Sequence, residues 1–392
     1  MDSPDEPVSL EDVARWGFRL LLGRDIEDEA LLPMWASLGS GPRIAEALLA
    51  SDEAFRLALH GFPHWGEWIA GPVTSTASHA ARRLRHDGPD DGAPAHPDLA
   101  SLRAALLASP EVTALLERPH GRLGETRFRL LGRDVTLRAP EADAYFRALA
   151  ANGPEPSAER LGRIARAHGP GAGAVAVDAG ANLGLTCLAI AAAWPDHAAI
   201  HAFEPDPRTA SLLAANLAAN GLDRAQVHAL ALGAEMGEIG FRRMAGNPAT
   251  SHLLPPGSRT GAAAHEVRAV PVHPLDAVLD LPRLDLLKID VEGAEALVLA
   301  GAAATLARHR PLVVIEFNLW TQMVVAGRNP LDVLEEWHAA WPHLCAFDRE
   351  GRPFPVRGTE GLLWLLYEVQ TRRHGLDDII LCHDLDWLAA WT

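Results

Sequence analysis

The chain has 392 residues, 48% hydrophobic and 22% charged, a balance that fits soluble globular protein with two or three domains. A net charge of −16 and a pI near 5.5 exclude a wide phosphate-binding surface, and with it nucleic acid as a partner. The three cysteines, Cys187, Cys345 and Cys382, have neither disulfide-framework nor metal-ligand spacing, and the acidic start Met1–Pro7 carries no apolar leader. No stretch reaches the ~18 uncharged apolar residues of a membrane span, so the expectation is a cytoplasmic protein.

Residues 1–84 read as a small all-helical module. Ser9 and Asp12 make a capping-box-like start, Val13, Trp16, Phe18, Leu20 and Leu21 are its apolar positions, and Gly23 is its stop. Leu31–Leu38, Ile44–Leu49 and Ala54–Leu59 follow as further helices, and Trp65 and Trp68 are expected in its core. F-R-L-L-L-G-R-D at 18–25 and S-D-E-A-F at 51–55 resemble a helical domain of unknown function that accompanies glycan-modifying enzymes in bacteria. It holds no catalytic constellation, so it is read as a packing module or a docking site for a protein partner. Residues 85–98, rich in Pro, Gly and Asp, are the linker.

The remainder, 99–392, is read as one catalytic domain with its core at 170–370. Leu99–Leu116 is an amphipathic helix, Arg127–Leu131 and Asp134–Arg138 a hairpin, and Ala142–Ala150 and Ala158–Ala167 helices. Strand then alternates with helix, as a parallel sheet requires: strand 174–178, helix 184–194, strand 199–204, helix 207–220, strand 226–231. The stretch 237–272 holds one or two strands and a Gly/Pro-rich loop, a length that serves lids and substrate walls. Strand 284–290, a helix from Ala294, strand 312–317, a helix at 331–341 and two last strands near 344–347 and 362–366 complete the domain.

Two stretches carry the chemistry. V-A-V-D-A-G-A-N-L-G-L-T at 175–186 is strand, turn and helix, with Gly180 and Gly184 permitting a tight turn whose amides face a ligand. I-H-A-F-E-P-D-P at 200–207 ends the next strand on Glu204, placed about 20 residues on, as Rossmann-type folds place the carboxylate that holds a ribose. From Gly180 the turn reads G-A-N-L-G-L, which breaks the dinucleotide fingerprint, and no P-loop Gly-Lys-Ser/Thr occurs. A nucleoside without phosphates is therefore expected, S-adenosylmethionine being the commonest such cofactor.

D-A-G-A-N-L-G at 178–184, F-E-P-D-P at 203–207, A-L-A-L-G at 229–233 and above all L-K-I-D-V-E-G-A-E at 287–295 resemble the FkbM-type S-adenosylmethionine-dependent methyltransferases. The resemblance runs from about Leu123 to the C-terminus. It implies a Rossmann-like class I methyltransferase fold, α/β with a seven-stranded sheet, here preceded by the small all-α domain. It also implies O-methylation of a sugar, glycan or secondary metabolite, as in polysaccharide biosynthesis. The expected cofactor contacts are Asp178, Gly180, Asn182 and Gly184 around the methionine moiety, Asp178 pairing the ammonium or fixing the turn. Glu204 is expected on the ribose, and Ala231 and Leu232 on the adenine.

Asp290 and Glu292, with one residue between them at a strand's carboxyl end, are expected to point the same way, and their repulsion to raise the pKa of one of them, tempered by Lys288. Asp290 is the first choice for the general base and Glu292 the second, with His252 of the long loop as a third candidate. Lys288, the only lysine in the chain, is either left over from an arginine-favouring codon usage or required as a compact ammonium beside Asp290. No metal is expected, although Glu316 and Asn318 with Asp290 form an oxygen-rich group able to hold Mg²⁺. The competing readings are a nicotinamide-dependent oxidoreductase and a non-catalytic scaffold in glycan assembly. The broken glycine fingerprint opposes the first, and the intact Asp178, Glu204 and Asp290 oppose the second.

Overall fold

The computed structural model describes residues 9–22, 26, 28–49, 75–85, 99–107, 109, 110, 112, 123–222, 224–244, 248–254 and 265–391. The helix predicted at 54–59, Trp65, Trp68, Gly23 and nearly all of the linker lie outside them. Backbone contacts divide the chain into two units, residues 1–124 with 140–142, and 125–139 with 143–392.

The first unit is helical. Ser9 starts Leu10–Gly17 as the sequence suggests, its Oγ accepting the Asp12 amide at 3.1 Å. A π-turn, Phe18–Leu22, continues the helix, and Leu32–Ala36 and Gly41–Leu49 follow. Ser75–Arg85, which no sequence signal announced, closes against them: the Arg83 carbonyl lies where a Cβ on Gly41 would stand, 1.9 Å away. The Leu99–Leu107 helix adds Leu102 and Leu106 to the core of Val13, Leu21, Ile44 and Leu84. The sequence reading began the catalytic domain at residue 99, whereas this helix packs its apolar side into the helical unit.

In the second unit a hairpin of β1 (Leu123–Leu130) and β2 (Arg133–Pro140) turns on Leu131 and Gly132, both with positive φ. The main sheet has eight strands. Its parallel part is β3 (Val175–Ala179), β4 (Ala199–Phe203), β5 (Ala225–His228), β10 (Leu286–Ile289) and β11 (Leu312–Asn318). The other three are β12 (His343–Phe347), β13 (Pro353–Val356) and β14 (Leu376–Cys382), and the order is β13-β12-β14-β11-β10-β3-β4-β5. The reversal between β3 and β10 is a topological switch point, where open α/β sheets bind ligands at the carboxyl ends of their strands.

The seven-strand pattern with an antiparallel strand near one end is present, joined by β13 on the outer edge. One prediction is corrected: residues 362–366 are not a strand but part of the helix Gly358–Arg372, and β14 follows it. Leu362, Leu365 and Val369 bury one face of that helix, a 3.6-residue rhythm that a short apolar window hides.

The excursion folds as its own four-stranded sheet, β6 (Ala231–Leu232), β9 (His265–His273), β7 (Gly237–Met244) and β8 (His252–Leu253), in that spatial order. Ala231 and Leu232 therefore start a second sheet instead of ending β5. No helix among the described residues is long and apolar enough to cross a membrane.

Candidate active site

Gly180 follows β3 with φ 85°, and an added Cβ would meet the Asp290 carbonyl at 1.7 Å. Only glycine permits this closeness, so the turn and the β10 terminus share one site. Asn182 (φ 46°) and Gly184 (φ 94°) complete the turn, and Gly184 caps the helix Leu185–Ala193.

Glu204 lies across the turn, 7% exposed, with Oε2 accepting the Asn182 amide at 3.2 Å and Oε1 the Asp206 amide at 2.9 Å. Burial lifts its pKa to about 8, and those two amides oppose the rise. Asp206 and Pro207 cap the next helix, Pro207–Ala219, as their order in the sequence suggests. Asp178 sits behind the turn, fully buried, where Oδ2 accepts Thr186 Oγ1 and Cys187 Sγ. Oδ1 has no hydrogen-bond partner among the described residues, Asp178 is not on the cavity wall, and the contacts it makes to Thr186 and Cys187 hold the turn to the helix that follows.

These elements open on a cavity of about 1450 Å³, above the roughly 300–1,000 Å³ of an ordinary small-molecule site and so large enough for a donor and an acceptor together. Gly180, Asn182, Glu204, Ala231, Leu232 and His252 all line it, Gly184 does not, and Phe203, not foreseen, adds a ring. His252 is 7% exposed on β8, its Nδ1 3.2 Å from the Thr250 carbonyl.

A carboxylate group forms the far wall. Asp290, Glu292 and Glu316 each present an oxygen within 4.8 Å of the others, close enough to share a proton or one divalent cation. Asn318 lines the same cavity, and its Oδ1 accepts the Trp320 and Thr321 amides at 3.0 and 3.3 Å and caps the turn after β11. Glu292 reaches the group through a left-handed turn, φ 53° followed by Gly293 at 102°. Glu295, 2% exposed, fixes that turn by accepting the Gly293 amide and Gln322 Nε2, each at 2.8 Å. Burial, then Asp290 and Glu295, push Glu292 up to about 8.

Burial first and the neighbouring carboxylates next also raise Asp290 and, further, Glu316. Lys288, 3% exposed, stands behind them with Nζ 3.9 Å from Asp290 and 3.6 Å from Asp378. Burial would lower its pKa, but Asp290, Asp378, Glu316 and Asp178 outweigh that and hold it above the usual lysine value, so the ammonium stays charged. The compact ammonium anticipated beside Asp290 is thus seated among four carboxylates.

Sequence reasoning missed Tyr145 and Glu155, which line the cavity from helices ahead of the sheet with Tyr145 donating to Glu155 at 3.3 Å. It also missed Arg160, Asp377 and Asp378. The adjacent carboxylates opening β14 were the available signal, hidden by placing the last strand too early.

Residues 178–339 match the family described as the methyltransferase FkbM domain. "Methyltransferase 1" of Beauveria bassiana is 33% identical over 143 residues, 32% of this chain, and the match spans only 57% of that relative's length. Among solved structures, a methyltransferase FkbM from Methylobacillus flagellatus KT is 18% identical with a TM-score of 0.32, covering 62% of this chain and 47% of the other. The O-methyltransferase TomG from Streptomyces achromogenes, involved in tomaymycin synthesis and solved in complex with SAM, is 14% identical with a TM-score of 0.36, covering 62% and 87%.

Proposed function

We propose, from the match of residues 178–339 to the methyltransferase FkbM domain family, that the protein transfers the methyl group of S-adenosylmethionine to a hydroxyl of a sugar, glycan or secondary metabolite. One observation carries the reading: a turn without a phosphate-binding fingerprint, Gly180–Leu183, and a buried carboxylate, Glu204, open into the same cavity as Asp290.

The residues present fit that cofactor. Glu204 spends one lone pair of each oxygen on a backbone amide and keeps capacity for the two hydroxyls of a ribose. Leu230, Ala231, Leu232 and Phe203 supply an apolar wall for adenine, and the turn itself carries no lysine or arginine to attract phosphates. When bound, S-adenosylmethionine supplies a methyl carbon on a sulfonium, open to in-line displacement. The chain's task is then to place an acceptor oxygen, exclude water and take up a proton; positioning alone supplies roughly 7 kcal/mol or more in favourable cases.

Asp290 is the assigned base. Its carboxyl presents an oxygen within 4.8 Å of one on Glu316, close enough for the two to share one proton. Lys288 favours the negative charge on Asp290, so Glu316 holds that proton. The ionised Asp290 accepts the proton of the acceptor hydroxyl. Glu292, on the same wall as Asp290, orients the acceptor, and His252 closes another part of the cavity. The helical unit, whose sequence shows no catalytic constellation, is assigned to packing or partner docking. The test is a panel of sugars, nucleotide-sugars and hydroxylated metabolites incubated with the cofactor: a gain of one methyl group on a hydroxyl supports the reading, and transfer to nitrogen or to none of them opposes it.

A further inference from the structure

The cavity does not end at Asp290 and Glu316. Beyond β14 its wall is built from Arg160, Arg349, Arg372 and Arg373, an arginine-rich lobe in a protein whose net charge is −16. Buried carboxylates hold these guanidiniums, each serving two cations. Glu368, with 5% of its side chain exposed, accepts Arg349 Nη2 at 3.1 Å and Arg372 Nε at 3.3 Å. Asp377, fully buried, accepts Arg160 Nη1 at 3.1 Å and Arg373 Nη1 at 2.7 Å. Asp378 faces Arg160 Nε at 3.4 Å and Lys288 Nζ at 3.6 Å.

An arrangement of two cations per carboxylate aims the guanidiniums and cancels only part of their charge. Arg349 and Arg372 are the outermost, with 57% and 50% of their side chains exposed while Glu368 stays buried between them. A guanidinium has five N–H donors in a planar fork, and the pairing with Glu368 leaves most of them for a ligand. The forks of Arg match carboxylate and phosphate oxygens, which an uncharged sugar does not offer. An acidic exterior repels anions in general, so a positive lobe inside the cavity selects those that reach it.

We propose that this lobe binds an oxyanion group of the acceptor, a phosphate or a carboxylate, with Arg349 and Arg372 as its direct ligands. The acceptor is then an anionic metabolite or glycan unit, held at one end by arginine while the other end meets Asp290. The proposal rests on the methyl-transfer reading for its meaning as an acceptor site, but its test does not.

Isothermal titration of the full chain with inorganic pyrophosphate and, separately, with glucuronate distinguishes the two sources of the anion. The same titrations are run on Arg349→Gln and Arg372→Gln, each of which leaves the other guanidinium on Glu368, and on Arg352→Gln, whose side chain pairs with Asp348 and Glu350, as a control. At least one probe is expected to bind, with affinity falling about tenfold or more in each of the first two variants and unchanged in the third. S-adenosylhomocysteine, titrated in parallel, should bind all four proteins alike. Binding of neither probe, or equal affinity in all four proteins, overturns the proposal. Oxyanion binding as expected with no S-adenosylhomocysteine binding would leave the lobe standing and remove the methyl-donor reading instead.

Discussion

At the scale of residues, the site separates groups by the burial of their charge. Asp290→Asn keeps the shape of the side chain and removes its capacity to take a proton. Turnover should fall by about 10²–10⁴-fold, the scale of a lost general base, with S-adenosylhomocysteine affinity nearly unchanged; full activity would take Asp290 out of the mechanism. Glu292 carries a prediction about stability. Its folded pKa is lifted from 4.5 to about 8, so its protonated form favours the fold. That contribution is full below the unfolded carboxyl value and is lost as pH rises through the folded value, from about 4.5 to about 8. Glu292→Gln stays neutral throughout, so its denaturation midpoint relative to wild type should climb across that window. A difference that stays flat with pH would show Glu292 to be ionised in the fold at little cost. The motif K-I-D-V-E-G-A-E made Asp290 and Glu292 legible, because two carboxylates with i, i+2 spacing at a strand end share a side. Glu316 was legible as a neighbour through the same strand-end logic. The structural work of Glu295 was not, since nothing local tells that a helix-start carboxylate folds back on the Gly293 amide.

At the scale of elements, the tight contact is between the turn after β3 and the end of β10. Gly180 and Gly171 have nearly the same φ, 85° and 83°, but a Cβ on Gly171 meets nothing within 4 Å while one on Gly180 meets the Asp290 carbonyl. Gly171→Ala therefore costs only backbone strain. Gly180→Ala adds overpacking of about 1–3 kcal/mol and moves Asp290. Urea denaturation of both variants should show the larger loss for Gly180→Ala, together with weaker cofactor binding; equal losses would contradict the shared geometry. The alternation of strands and helices from 174 to 347 could be read from apolar periodicity and caps such as Asp206-Pro207. What could not be read was where local pattern is ambiguous. Gly358–Arg372 shows a short apolar run that suits either element, and Ser75–Arg85 is rich in alanine and arginine with little periodic signal. Ala231–Leu232 continues β5 in sequence but pairs with Val272 and His273 in another sheet, a long-range choice that no window of neighbours contains.

At the scale of the whole molecule, hydrophobic clusters of different make-up lie in one chain. One gathers around Val13, Leu21, Ile44 and Leu84, and two others cover the two faces of the eight-stranded sheet. In scanning calorimetry, S-adenosylhomocysteine at about 100 times its Kd should stabilise the sheet-containing unit by about 2.7 kcal/mol. A melting temperature of that unit indifferent to the ligand would contradict a donor site in its cavity. The division into a helical part and an α/β part was legible from composition; its boundary was not, because the helix at 99–107 follows the linker in sequence but has its apolar partners in the first unit.

The cavity beside Gly180 and Glu204 is assigned to an adenosine donor without phosphates. Calorimetric titration of the full chain with S-adenosylhomocysteine and with NAD, repeated on Glu204→Ala, tests it most directly. Binding of the first ligand only is expected, weakened in the variant by about 1–3 kcal/mol, the scale of a buried polar group left without its hydrogen bond. Heat with NAD alone, or an affinity for S-adenosylhomocysteine indifferent to the loss of Glu204, would contradict it.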